Sequence, residues 1–178
     1  MFPTMVRKTT VLFEEKFMHK SLQPLDQIAT LNFDMALKTA ELLTEEQSLK
    51  KITGKINCAN WILGHLVTGR HYLIGMAGIK PEVDPLSEIY DRGAILTPET
   101  KYKKLSEIKE AWIQMSGNIN NVFFQITKET LEKKSPINFP IGDKTILGGL
   151  TFLLSHESYH IGQLALIRKD LGLETLFD

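Results

Sequence analysis

Apolar residues recur every three or four positions along most of the chain, and almost nowhere do they alternate with the period of two that a half-buried strand needs. The pattern predicts an all-α fold with four long helices. The first starts near Pro24, a residue tolerated in a first helical turn, and runs to about Leu43 with Leu25, Ile28, Leu31, Met35 and Leu42 on its stripe. The second is expected from Asn57, a good N-cap, to Ala77, where Gly78 and Pro81 stop it. Its stripe holds Cys58, Trp61 or Ile62, His65, Gly69, Tyr72 and Met76. The third opens at Thr97-Pro98-Glu99, a cap followed by proline, and carries Leu105, Ile108, Trp112, Met115, Ile119, Val122 and Ile126 without a gap. The fourth spans Thr145 to Leu171, ahead of Gly172 in the position that follows a helix C-cap. Between the last two, SPINFPIGDK has two prolines and a glycine, so at most a short extended piece is expected there.

Helices of about twenty residues are roughly 30 Å long, and bundle connections usually take about 2 to 8 residues. The stretch IKPEVDPLSEIYDRGAIL, 79–96, is longer. At roughly 3.3 Å per extended residue it can travel the length of the molecule and return the third helix parallel to the second. The expectation is a single domain over 1–178, a four-helix bundle with a long crossover between helices 2 and 3, the crossover being either a plain connection or the rim of a pocket.

Composition narrows the function classes. With 178 residues, 43% hydrophobic and 24% charged, the chain can bury a core. Lys+Arg and Asp+Glu are 21 each, which leaves no positive excess to hold nucleic acid or an anionic membrane. The first twenty residues contain no apolar run of signal-peptide length. The longest uncharged stretch, 56–69, is too short to span a bilayer. Cys58 is the one cysteine, so no internal disulfide forms. A soluble, cytoplasmic protein is expected, without nucleic-acid or membrane partners.

Candidate chemistry lies in SHESYHIGQL, 155–164, where HESYH matches the H-E-x-x-H signature of zinc metalloproteases letter for letter. His156 and His160 are four apart, so on a helix they stack on one face about 6 Å from each other. With five histidines in the chain, a pair at that spacing arises by chance with a frequency of roughly one in seven. Their place on the helix adds weight. The inward stripe of the fourth helix reads Gly149, Leu153, His156, His160, Gln163 or Leu164, Ile167 and Leu171, and the second helix puts His65 on its own stripe. Three imidazoles on core faces are costly unless something binds their nitrogens. A metal ion does so; the alternative is a set of histidines bonded to neighbouring carbonyls. His19 and His71 lack this support and read as surface residues. A protease fits poorly, because Gln163 stands where the longer protease motif has glycine, no histidine follows His160, and no strands are expected upstream.

NCANWILGHL at 57–66, followed about ninety residues later by SHESYHIGQL, resembles the DinB/YfiT-like superfamily of metal-binding four-helix bundles. The likeness covers essentially the whole chain. It implies an up-down-down-up bundle, commonly a homodimer, in which His65, His156 and His160 hold one divalent metal, zinc or nickel, with open positions for water or substrate. Some relatives are thiol-dependent S-transferases or isomerases that use bacillithiol, mycothiol or glutathione. The implied function is a metal-dependent thiol S-transferase or hydrolase with a small-molecule substrate, a low-molecular-weight thiol among the candidates. The alternatives are a metal-binding module without turnover and a structural helical dimer. Relatives often have a basic residue after the second histidine of the helix 4 pair, where this chain has Ile161.

The neighbours of the histidines have two readings each. Glu157 points about 100° away from His156 and is either a general base for a water or thiol or the partner of a charge on another helix. Gln163 lies on the face of His160 and is placed to hold that ligand's second nitrogen or to make an ordinary hydrogen bond. Tyr159 is a rim donor or an interface residue. Gly162 suggests close backbone packing, Trp61 core, and Cys58 a small core residue too far from His65 to share its metal.

Overall fold

The computed structural model describes residues 17–52, 56–79, 84, 86–94, 101–117 and 119–174, and these residues are helical with no strand among them. A 3-10 turn at Lys20–Leu22 leads into α1 (Gln23–Glu41) with Pro24 in its first turn. There follow α2 (Glu45–Leu49), α3 (Ala59–Met76), α4 (Ser87–Tyr90), α5 (Leu105–Ser116), α6 (Ile119–Gln125), α7 (Lys128–Glu132) and α8 (Ile146–Asp170). A lone bridge between Lys134 and Thr145 closes the loop before α8. No helix among the described residues is long and apolar enough to cross a membrane.

α8 agrees with its sequence pattern at both ends. The Thr145 hydroxyl accepts from Gly148 N–H, and Gly172 beyond the helix takes the left-handed φ of 70°. α3 begins at Ala59, with Cys58 rather than Asn57 as its cap. The third expected helix is changed more. Its Thr97 cap lies outside the described residues, and 101–104 are not helical. Lys103 N–H donates to the Tyr90 hydroxyl and Lys103 C=O accepts from Asn60 Nδ2, each at 2.9 Å, so both backbone groups are committed before a helix can use them. α5 then starts at Leu105, whose N–H is received by Glu45 Oε2 at 2.8 Å, and it ends at Ser116, ahead of Gly117 and the separate α6.

The stripe read for α1 is turned. Ile28, Leu31 and Leu42 are 38%, 52% and 44% exposed, whereas Leu25, Ala29, Asn32, Ala36, Thr39 and Ala40 are buried. Small residues facing inward let this helix lie close to its neighbours, which an Ile/Leu face would hold off. α3 has no single stripe: thirteen of its eighteen residues are buried, so it is the central helix.

Contacts fix the directions. Glu41, Phe33 and Asp26 of α1 meet Lys109, Trp112 and Asn120 in that order, so α1 runs against α5 and α6. Arg70 of α3 reaches the Ala29 carbonyl, while Ala36 and Ala40 pack with the first half of α3, so these two also oppose each other. His65 faces His160 while Met76 lies against Gly149, which sets α3 against α8. α1 and α8 therefore share one direction, and α3 and α5 the other.

Two apolar clusters divide the interior. One joins Ala36, Ile62, Leu66, Trp112 and Ile161; the other joins Leu25, Leu73, Phe123, Leu150 and Leu154. Where they meet, Arg70 and Glu157 are almost fully buried and paired, with Nε to Oε1 at 2.6 Å and Nη2 to Oε2 at 2.9 Å. Asn32 Nδ2 donates to Glu157 Oε2 at 3.2 Å, Arg70 Nη2 also donates to Ala29 C=O at 2.9 Å, and the guanidinium lies 4.9 Å over the Trp112 ring. Glu157→Ala leaves Arg70 charged and unpaired in the core, and in urea unfolding it is expected to cost about 3–5 kcal/mol. Lys128→Ala, which removes the exposed pair with Glu132, is expected to cost about 0.5 kcal/mol or less.

Candidate metal centre

Three imidazoles meet between α3 and α8. One ring nitrogen from each of His65, His156 and His160 lies within 4.8 Å of the others, and among the described residues these three form the cluster suited to an ion. The helical repeat explains the local half of this arrangement: residues four apart on α8 bring His156 Nε2 to 3.2 Å from His160 Nε2. α3 supplies His65, whose ring centroid stands 4.9 Å from that of His160 and 5.4 Å from that of His156.

Hydrogen bonds outside the cluster aim two of the rings. His65 Nδ1 donates to the Tyr90 carbonyl at 2.7 Å, and His160 Nδ1 donates to Gln163 Oε1 at 2.8 Å. A carbonyl oxygen only accepts, so both Nδ1 atoms hold the proton and both Nε2 atoms present a lone pair inward. Gln163 Nε2 donates in turn to the Tyr159 hydroxyl at 3.0 Å, and Tyr159 itself is 63% exposed at the rim. Tyr90 is pinned as firmly: its hydroxyl donates to Asn60 Oδ1 at 2.9 Å and receives Lys103 N–H. Gly64 beside His65 leaves room for the Tyr90 ring, which an added Cβ would strike.

Aromatic rings form the walls. Trp61 stacks on His65 at 4.8 Å, Phe152 stacks on His156 at 5.9 Å, and Phe139 backs Phe152 at 4.9 Å. Among these rings His156 and His160 disfavour protonation. Burial first, then His65 and Arg92, lowers the pKa of His156. Burial lowers that of His160 to about 4, against the Gln163 hydrogen bond that raises it. Both rings therefore stay neutral, the form that binds metal, at physiological pH.

The donor set fits a metal ion. Two imidazole nitrogens at 2.0–2.1 Å from one tetrahedral ion stand roughly 3.3 Å apart, close to the 3.2 Å between His156 Nε2 and His160 Nε2. With lone pairs converging from His65 and His160, a single N–H from His156 can satisfy one of them, whereas a cation satisfies all three.

Other residues named from the sequence fall differently. Glu157 is turned into the core against Arg70, the charge-pairing reading, and its carboxyl is pushed up by burial against the opposing pull of Arg70 and Asn32. Gly162 does not mark close packing, since an added Cβ would meet nothing within 4 Å; Gly148 and Gly149, at the other end of α8, are the tightly packed ones. His71 is not a surface residue but is 8% exposed, 3.7 Å from Asp84. His19 is half-buried as the cap of the first turn. Ile161 is buried, and Cys58 is buried at the start of α3. Sequence reasoning missed Tyr90, Asn60 and Phe152. The first two act across the 79–96 connection, which no helical spacing encodes, while Phe152, four before His156, was available as an i,i+4 ring pair.

No family model matches the chain, and no curated protein matches its sequence.

Because His160 has a folded pKa of about 4, below the ordinary 6.5, the unfolded chain takes up its proton first as pH falls. Metal-free protein is expected to be most stable above about pH 6.5 and to lose stability as pH falls toward about 4. Urea midpoints of chelator-treated protein across that range check this, and His160→Gln is expected to flatten the dependence.

Proposed function

We propose that this protein is a DinB/YfiT-like, up-down-down-up four-helix bundle formed by α1, α3, α5 with α6, and α8, which holds one divalent metal, zinc or nickel, through His65, His156 and His160. The observation that carries the reading is the convergence of the three imidazoles, with two Nδ1 atoms held by oxygens and the paired Nε2 atoms of His156 and His160 at 3.2 Å. Three imidazole nitrogens leave a coordination position free, and a divalent ion in such a site would supply Lewis-acid activation of a thiol or water at neutral pH. Thiol S-transfer or hydrolysis on a small molecule is the matching chemistry, in a cytoplasmic setting.

The chain's own residues divide the remaining work. Tyr90 and Gln163 orient His65 and His160 and keep their donor nitrogens unprotonated. Trp61 and Phe152 flank the ligands with apolar rings that limit water. Glu157 is no base for the reaction in this reading, because Arg70 and Asn32 take its oxygens in the core. Ile161 is buried and so turned from any substrate; the exposed Arg92, whose charge is felt at His156, is available to an anionic substrate group. The exposed Ile28 and Leu31 on α1 suit the face of a homodimer.

Elemental analysis of untagged protein isolated without added metal is expected to find about one zinc or nickel per chain. His65→Ala is expected to lose it while remaining folded by circular dichroism. Metal retained at the same level in the variant would remove His65 from the ligand set. Absence of metal in the parent protein, even after reconstitution, would remove the metal reading altogether.

A further inference from the structure

The stripe of α3 that carries His65 continues through Gly69 and Tyr72 to Met76, at alternating spacings of four and three residues that keep one helix face. His65 lies against His156 of α8 and Met76 against Gly149, so the stripe between them runs along α8. At Gly69, one turn beyond His65, an added Cβ would meet no atom of the described residues within 4 Å. Farther on, Tyr72 and Met76 line a cavity of about 430 Å³ together with Gly75, Pro136 and Ile137. Tyr72 is roughly 10 Å from His65 along the helix axis, and the volume lies within the range of small-molecule pockets.

Cluster and cavity also share their walls. Ile137 lines the cavity, its carbonyl accepts Phe139 N–H at 3.2 Å, and the Phe139 ring stacks on Phe152, which stacks on His156. On the other side the Tyr72 hydroxyl donates to Asp91 Oδ2 at 2.7 Å, and the charge of the next residue, Arg92, is felt at His156. The histidines, the open position at Gly69 and the cavity thus follow one another along one face of α3, between the same two segments.

The far end of this path suits hydrocarbon. Its hydroxyl protons are committed: Thr68 donates to Gly64 C=O at 3.0 Å, Ser87 to Asp84 C=O at 3.1 Å, and Tyr72 to Asp91. His71 and Asp84 also border it, but both are nearly covered by the protein. The surface left to a ligand is that of Met76, Pro136, Ile137 and the Tyr72 ring, against which an apolar group gains by leaving water.

We propose that the metal centre acts on an amphiphile, a small molecule whose polar head meets the metal at His65, His156 and His160 and whose hydrocarbon tail crosses Gly69 and ends in this cavity. This assignment rests on the reading of the three histidines as metal ligands and names the substrate class for it.

Calorimetric titration of zinc-reconstituted protein with acetohydroxamate and octanohydroxamate, which share a metal-binding head and differ in tail length, tests it. Octanohydroxamate is expected to bind roughly a hundredfold more tightly, through the methylenes it buries. Gly69→Leu fills the path, and Ile137→Asp puts a carboxylate on a cavity wall that is 37% exposed. Each is expected to bring octanohydroxamate down toward acetohydroxamate, with zinc content and acetohydroxamate affinity unchanged. Equal affinity of the two probes, no binding of octanohydroxamate by zinc-loaded protein, binding that is as tight without zinc, or a tail preference that survives in either folded variant would overturn the assignment and leave the metal centre standing. A parent protein that takes up no zinc and binds neither hydroxamate would overturn the metal reading, and the assignment with it.

Discussion

A guanidinium and a carboxylate, each almost completely withdrawn from water, hold the two apolar clusters in register. An isolated charge at that depth is prohibitively costly, so Arg70 and Glu157 must meet wherever the rest of the chain goes. Meeting fixes one axial offset between the opposed helices α3 and α8, and Asn32 and the Ala29 carbonyl add α1 to the same constraint. Trp112 under the guanidinium brings in α5. Apolar side chains alone would tolerate sliding of one helix past another; a buried, directional pair does not.

The histidines inherit that register. His65 is five residues before Arg70 on α3, and His156 directly precedes Glu157 on α8, so the pair that aligns the core also sets the distance between the imidazoles. Final aim comes from elsewhere. The Tyr90 carbonyl reaches His65 from α4 within the long connection, and Tyr90 is in turn fixed by Asn60 at the start of α3 and by the backbone at Lys103. Tyr90 in α4 is thus part of the brace of the site.

How much of this was legible in the sequence depends on the range of each interaction. The extent of α8, its Gly172 stop and the facing of His156 and His160 follow from spacings within one helix, and these were readable. The α1 stripe was misread because large aliphatics were weighted over alanines, whereas close helix approach favours the small face. The start of α5 was misplaced because Tyr90, Asn60 and Glu45 capture backbone groups at 103–105 from distant parts of the chain. His71 was assigned to the surface because it lies off the helix face that carries His65; α3 is buried nearly all round, and His71 sits in its interior beside Asp84.

The pentapeptide HESYH has its glutamate facing away from the histidines that flank it. In a zinc protease the same letters place that carboxylate over the metal, where it handles the proton of a water molecule. Here the backbone turn between His156 and Glu157 sends one side chain to the cluster and the next to Arg70. Two adjacent positions are held by two separate sets of contacts, and neither side chain can take the other's place without losing its own. Turning Glu157 toward the histidines would first dismantle the interior of the protein, so a carboxylate over this cluster has to come from the rim rather than from the motif itself.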